Sequence, residues 1–169
     1  MFYEDGYANH EDSFDAADFY QQQQARLMPL YRYWNPSITD HFYTTNFGEL
    51  GRGRNGYTFE GIAGYVLSER RPNTVPLYRY WNPTISDHFY TTNFNELGRG
   101  GNGYRFEGIV GYMFPNQRPG TVPLHRYWNP QITDHFYTAN FNELGTGRNG
   151  YVYEGVPGYL YPVRQPRRA

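Results

Sequence analysis

The chain has 169 residues with 15 basic side chains, all Arg, against 16 acidic ones, so its net charge of −1 gives no general reason to expect nucleic acid or anionic lipid as a partner. The absence of Cys excludes a disulfide framework and a thiolate-held zinc. A mean hydropathy of −0.83, with no apolar run near 18 residues, excludes a helical membrane span.

Residues 1–28 carry six acids and the single base Arg26, and residues 29–169 carry ten acids and 14 Arg. The first segment reads as a disordered acidic arm dotted with aromatics, in which Phe14, Phe19 and Tyr20 are candidate anchors and four Gln close the run. It lacks the basic start, apolar core and cleavage site of a signal peptide, which points to a cytoplasmic or non-classically secreted protein.

After the arm one unit is written three times. PLYRYWNPSITDHFYTTNFGELGRGRNGYTFEGIAGY starts at Pro29 and recurs at Pro76 and Pro123, a period of 47 residues, with 26 of 37 positions identical in all three copies. The repeats are 29–75, 76–122 and 123–169. In the second copy, Leu77–Trp81 reads as a strand that stops at Asn82-Pro83. His88–Thr92 reads as its hairpin partner. Asn93-Phe94-Asn95-Glu96 has the spacing of a capping box, ended by Gly98. Asn102-Gly103 marks a tight turn into Tyr104–Glu107, and Gly108 and Gly111 separate that strand from a last one at Tyr112–Phe114. Three units of four strands give an all-β fold, and the arithmetic is that of a β-trefoil with pseudo-threefold symmetry, a six-stranded barrel closed by three hairpins.

The stretch Trp81-Asn82-Pro83, Asp87-His88-Phe89-Tyr90-Thr91, Tyr104-x-Phe106-Glu107-Gly108 and Gly111-Tyr112 resembles a repeat family of unknown function with a D-H-F-Y-T core and an aromatic-x-aromatic-Glu-Gly element. The resemblance covers nearly all of residues 29–161. That family supplies no settled activity; its frequent place beside secreted hydrolases implies an accessory binding module, most plausibly for glycans.

The adjacent pairs Asp40-His41, Asp87-His88 and Asp134-His135 invite an enzymatic reading, but strand neighbours point to opposite faces and no nucleophile or second carboxylate recurs with them. The chain is therefore expected not to be an enzyme, and no cofactor is expected. His41, His88 and His135 would form a three-nitrogen metal site only if they converged at the axis; local bonding, about 15–20 Å apart, is the favoured arrangement, so no metal is expected. Arg32, Arg79 and Arg126 are expected to pair with Glu60, Glu107 and Glu154 of their own units rather than with nucleic acid.

A sugar site needs an aromatic face and polar groups that fix hydroxyls. Each hairpin turn offers both: Trp34, Asn35, Asp40 and His41; Trp81, Asn82, Asp87 and His88; Trp128, Asn129, Asp134 and His135. The same residues have a structural reading, with Trp in the core and Asn and Asp building the turn. The sequence thus predicts a multivalent carbohydrate-binding module with three equivalent weak sites for glycans or glycoconjugates. The alternative is a self-assembling protein that forms homo-oligomers or filaments through residues 1–28.

Overall fold

The structure is a computed structural model and describes residues 26–164. Expectations for residues 1–25, including the arm and its anchors, lie outside the described residues. The described chain is all β apart from two short 3-10 turns, Phe94–Glu96 and Phe141–Glu143. Among the described residues no helix is long and apolar enough to cross a membrane.

The first unit holds β1 (Leu27–Asn35), β2 (Asp40–Thr44) and β3 (Thr58–Leu67). The second holds β4 (Val75–Asn82), β5 (Asp87–Thr91), the two-residue β6 (Gly100–Gly101) and β7 (Tyr104–Met113). The third holds β8 (Val122–Asn129), β9 (Asp134–Thr138) and β10 (Val152–Leu160). In every unit the first strand pairs antiparallel with both others, giving the order β2-β1-β3 and its equivalents.

The turns form for the reasons the sequence suggests. Asn82 and Asp87 close a hairpin whose loop is fixed by the Asn82 side chain, which accepts from the Thr84 N–H at 3.0 Å. Asn102 and Gly103 both take positive φ, 52° and 85°, the type I′ geometry that a two-residue hairpin between β6 and β7 requires. The capping box forms by half. The Asn93 side chain caps the Asn95 N–H, while Glu96 accepts from the Thr91 hydroxyl at 2.7 Å instead of reaching back to Asn93.

The last two of the four expected strands are one continuous strand, so each unit is built on three main strands, to which the second adds the two-residue β6. Gly108 does not end a strand; it sits at φ 129° opposite Arg79, where the β4–β7 register shifts, and β7 runs on through Gly111 to Met113. Gly111 serves packing: a Cβ there would stand 2.5 Å from Val66 Cγ2 of the first unit. Among the described residues the third strands of different units meet near their C-terminal ends, through Leu67↔Tyr112, Phe114↔Tyr159 and Tyr65↔Tyr161. The long inter-unit ladders of a six-stranded trefoil barrel are not among these pairings.

The first two units therefore join as one seven-stranded sheet and the third forms a three-stranded one, curled about one axis with β2, β5 and β9 innermost and buried along their whole length. The axial core comprises Tyr43, Tyr90 and Tyr137 with Leu30, Leu77, Leu124 and Leu160 among others, and the first and third units each keep a smaller core, Tyr33, Phe42 and Leu50 in one and Tyr127, Phe136 and Leu144 in the other. Aromatic rings take the place of the missing aliphatics, and their hydroxyls then need partners.

Candidate functional site

Those partners are built by symmetry. The Tyr90 hydroxyl accepts from the Tyr43 N–H at 2.6 Å and donates to the Tyr43 C=O at 2.7 Å. Tyr137 does the same to Tyr90, and Tyr43 to Tyr137, so three hydroxyls link three inner-strand backbones in a ring. The rings meet edge to face, with centroids 5.3–5.4 Å apart.

Next to this ring lie Asp40, Asp87 and Asp134, wholly buried, with one carboxylate oxygen of each within 4.8 Å of the others. Each accepts three hydrogen bonds. Asp87 takes the His135 N–H at 2.8 Å, the His135 Nδ1–H at 2.6 Å and the Tyr104 hydroxyl at 2.5 Å. Asp40 serves His88 and Tyr57, and Asp134 serves His41 and Tyr151, in the same way. The sequence-adjacent Asp-His pairs are thus not the interacting pairs: every His is bound by the Asp of the neighbouring unit. Three clustered carboxylates could in principle hold a cation, yet here each is turned to a His, a Tyr and a backbone N–H.

Each imidazole lies between two carboxylates. His135 Nε2 is 3.2 Å from Glu154 Oε1, and His41 and His88 face Glu60 and Glu107 at 3.4 and 3.3 Å. Two carboxylate acceptors require both ring nitrogens to donate, which defines an imidazolium. Burial opposes that charge, but the hydrogen bonds to Asp87 and Glu154 outweigh it and push His135 up to about 9. His41 and His88 are raised for the same reasons. Burial pushes the Asp87 carboxyl up, against the pull of His135. Tyr57, Tyr104 and Tyr151 are held far above the ordinary phenol value by burial and by the carboxylate each one touches.

Arginine completes each chain outward. Arg32, Arg79 and Arg126 place Nε at 3.1, 3.0 and 3.1 Å from Glu60, Glu107 and Glu154, the own-unit pairing expected from sequence. They also reach Glu143, Glu49 and Glu96 of the preceding unit and lie over Phe136, Phe42 and Phe89 at 4.8–5.0 Å. These are partly buried charge networks that join units.

The twelve sequence-predicted site residues are gathered as expected at the hairpins, but most face inward. Asn35, Asn82 and Asn129 are buried, cap their turns and donate to the C=O of Asn55, Asn102 and Asn149. The Asp and His residues are buried in the axial network. In place of exposed sugar ligands they are structural groups, whose hydrogen bonds among the described residues are internal. Trp34, Trp81 and Trp128 are half-buried, each stacked at 4.4–4.5 Å on the cross-strand His41, His88 or His135.

What the sequence did not single out lies on the surface. Phe47, Phe94 and Phe141 are 42%, 40% and 42% exposed. Each belongs to a cluster of three rings: Phe47 with Tyr31 and Phe59, Phe94 with Tyr78 and Phe106, Phe141 with His125 and Tyr153. The signal was present as a recurring aromatic in the capped turn, a position where a fully solvated Phe has no structural purpose. In the third cluster His125 Nδ1 lies 3.1 Å from the Tyr153 hydroxyl, and burial lowers its basicity. Beside the second cluster, where the second and third units meet, a cleft of about 190 Å³ opens between Asn93 and Glu96 on one side and Arg126, Glu154 and Val156 on the other.

A family model described as a domain of unknown function, DUF5648, matches residues 1–100 and again residues 68–161. No curated protein and no solved structure matches the chain.

Proposed function

Because the chain belongs to the DUF5648 family, whose description names no activity, we propose its function from geometry: it is a non-enzymatic, multivalent carbohydrate-binding module. The observation that carries this reading is the threefold display of exposed aromatic clusters around Phe47, Phe94 and Phe141 on strand-anchored positions. Exposed apolar rings grouped in this way mark interaction surfaces, and an aromatic face matches the C–H face of a pyranose. A trefoil-like threefold body suits the function, since it holds three weak surfaces at fixed spacing for avidity on a polyvalent target. Turnover finds no support in the axial carboxylates, which are buried and spent on His, Tyr and backbone donors.

The test is a glycan array on the full chain and on Phe47→Ala/Phe94→Ala/Phe141→Ala, with thermal unfolding confirming that the triple variant still folds. Binding to one sugar class that the triple variant loses is the expected result; silence of the native chain across the array ends the carbohydrate reading. The same exposed rings favour a second reading, self-assembly, in which they meet another copy. In that case removal of residues 1–25 or of the three Phe dissolves an oligomer while no glycan binds.

A further inference from the structure

The three seams between units are built from equivalent residues yet differ in how they close. Between the first and second units Arg79 grips both oxygens of Glu49, each at 3.2 Å. Between the third and first units Arg32 reaches both oxygens of Glu143, at 3.2 and 3.5 Å. Between the second and third units Arg126 makes one contact of 3.4 Å, to Glu96 Oε1, and the cleft of about 190 Å³ opens there. Among the described residues Glu96 Oε2, Glu154 Oε2 and Arg126 Nη2 make no hydrogen bond.

That arrangement selects a ligand class. Glu96 and Glu154 offset the charge of Arg126 and of the His135 imidazolium behind it, so the cleft has no excess positive charge to hold phosphate, sulfate or an acidic sugar. Two free acceptors beside a free donor match neighbouring hydroxyls, each able to donate to carboxylate and accept from arginine. Val156 and Pro157 supply an apolar side for C–H groups. The volume lies below the ~300–1,000 Å³ of sites for larger ligands, which limits the occupant to a single small ring. We infer that the seam between the second and third units is the specific seat of one neutral pyranose through a vicinal diol, whereas at the other two seams the arginine holds both oxygens of the facing glutamate. The inference rests on the carbohydrate reading above and makes the three units unequal.

The experiment is an NMR titration of the ¹⁵N-labelled full chain with the methyl glycosides of mannose, galactose, glucose and N-acetylglucosamine, taken to concentrations on the order of 10 mM where weak binding saturates. Expected are saturable shifts at the amides of Thr92, Asn93 and Val156 with one of the four, and none at Thr45 and Asn46 of the first seam. Glu96→Gln should weaken that binding about tenfold or more, the loss of one charge-assisted hydrogen bond. Val156→Trp, which fills the cleft without touching the ion pairs, should abolish it. Saturable shifts confined to the aromatic clusters overturn the seam while carbohydrate binding stands. Absence of shifts with all four overturns the seam as well, and the glycan array on the same sample then reports separately whether carbohydrate binding has fallen with it.

Discussion

Replacing Tyr90 by Phe removes one oxygen and keeps the ring, with its edge-to-face contacts to Tyr43 and Tyr137 at 5.3 Å. That oxygen serves two backbone groups of Tyr43, accepting from the N–H at 2.6 Å and donating to the C=O at 2.7 Å. Tyr43 is 1% exposed, so both groups are stranded away from water in the variant. An unsatisfied buried group costs about 1–3 kcal/mol, giving about 2–6 kcal/mol for the pair. Set against a total stability of about 5–15 kcal/mol, the loss is large. Urea unfolding followed by tryptophan fluorescence should show it as a lower midpoint at unchanged slope. The control is Tyr80→Phe, which removes a single bond to the Gly98 carbonyl and should cost about 1 kcal/mol or less. A Tyr90→Phe variant no less stable than Tyr80→Phe would refute the idea that hydroxyls tie the inner strands together.

The imidazolium chain sets an alkaline limit. His135 holds its proton up to about 9, against about 6.5 unfolded, so its contribution is complete below 6.5, erodes above it and is lost past pH 9; urea midpoints between pH 7 and 10 should fall, and His135→Gln should flatten the curve. On the acid side Glu60, Glu107 and Glu154 are burdened by burial but lowered overall by the His and Arg beside them, so stability should also fall as pH drops through the low carboxylate range. Gly64→Ala places a Cβ 2.0 Å from Leu160 Cδ1 and 2.9 Å from the Tyr161 carbonyl, and should cost about 1–3 kcal/mol by calorimetry. Ala139→Thr should stabilise by about 0.5–1.5 kcal/mol, because Thr45 and Thr92 at the equivalent positions donate to the carbonyls of Val110 and Pro157; an unchanged Tm would show that the Ala63 carbonyl is not in reach.

Local chemistry was readable in the sequence. The Asn-Pro turns, the Asn-Gly hairpins and the Arg–Glu pairs all arise within one unit, where spacing along the chain implies spacing in space. What crosses between units was hidden. His88 and Asp40 are 48 residues apart, and His41 and Asp134 are 93 apart, so the sequence could separate the adjacent Asp and His onto opposite faces but could not name the true partner of either. Gly108 and Gly111 read as strand ends because a glycine that creates a bulge and one that admits a neighbour's Val66 leave the same letter. The exposed Phe of each capped turn was passed over because aromatic abundance made every ring a core candidate.

All the contacts between units run in one direction. Each unit gives its Asp, its Tyr backbone and its capped-turn Glu to the next, and offers its own His, Tyr hydroxyl and Arg to the one before. Such a head-to-tail interface closes after three steps. A single 47-residue copy therefore carries both halves of its own interface, so the ring closes by repeating one contact set three times.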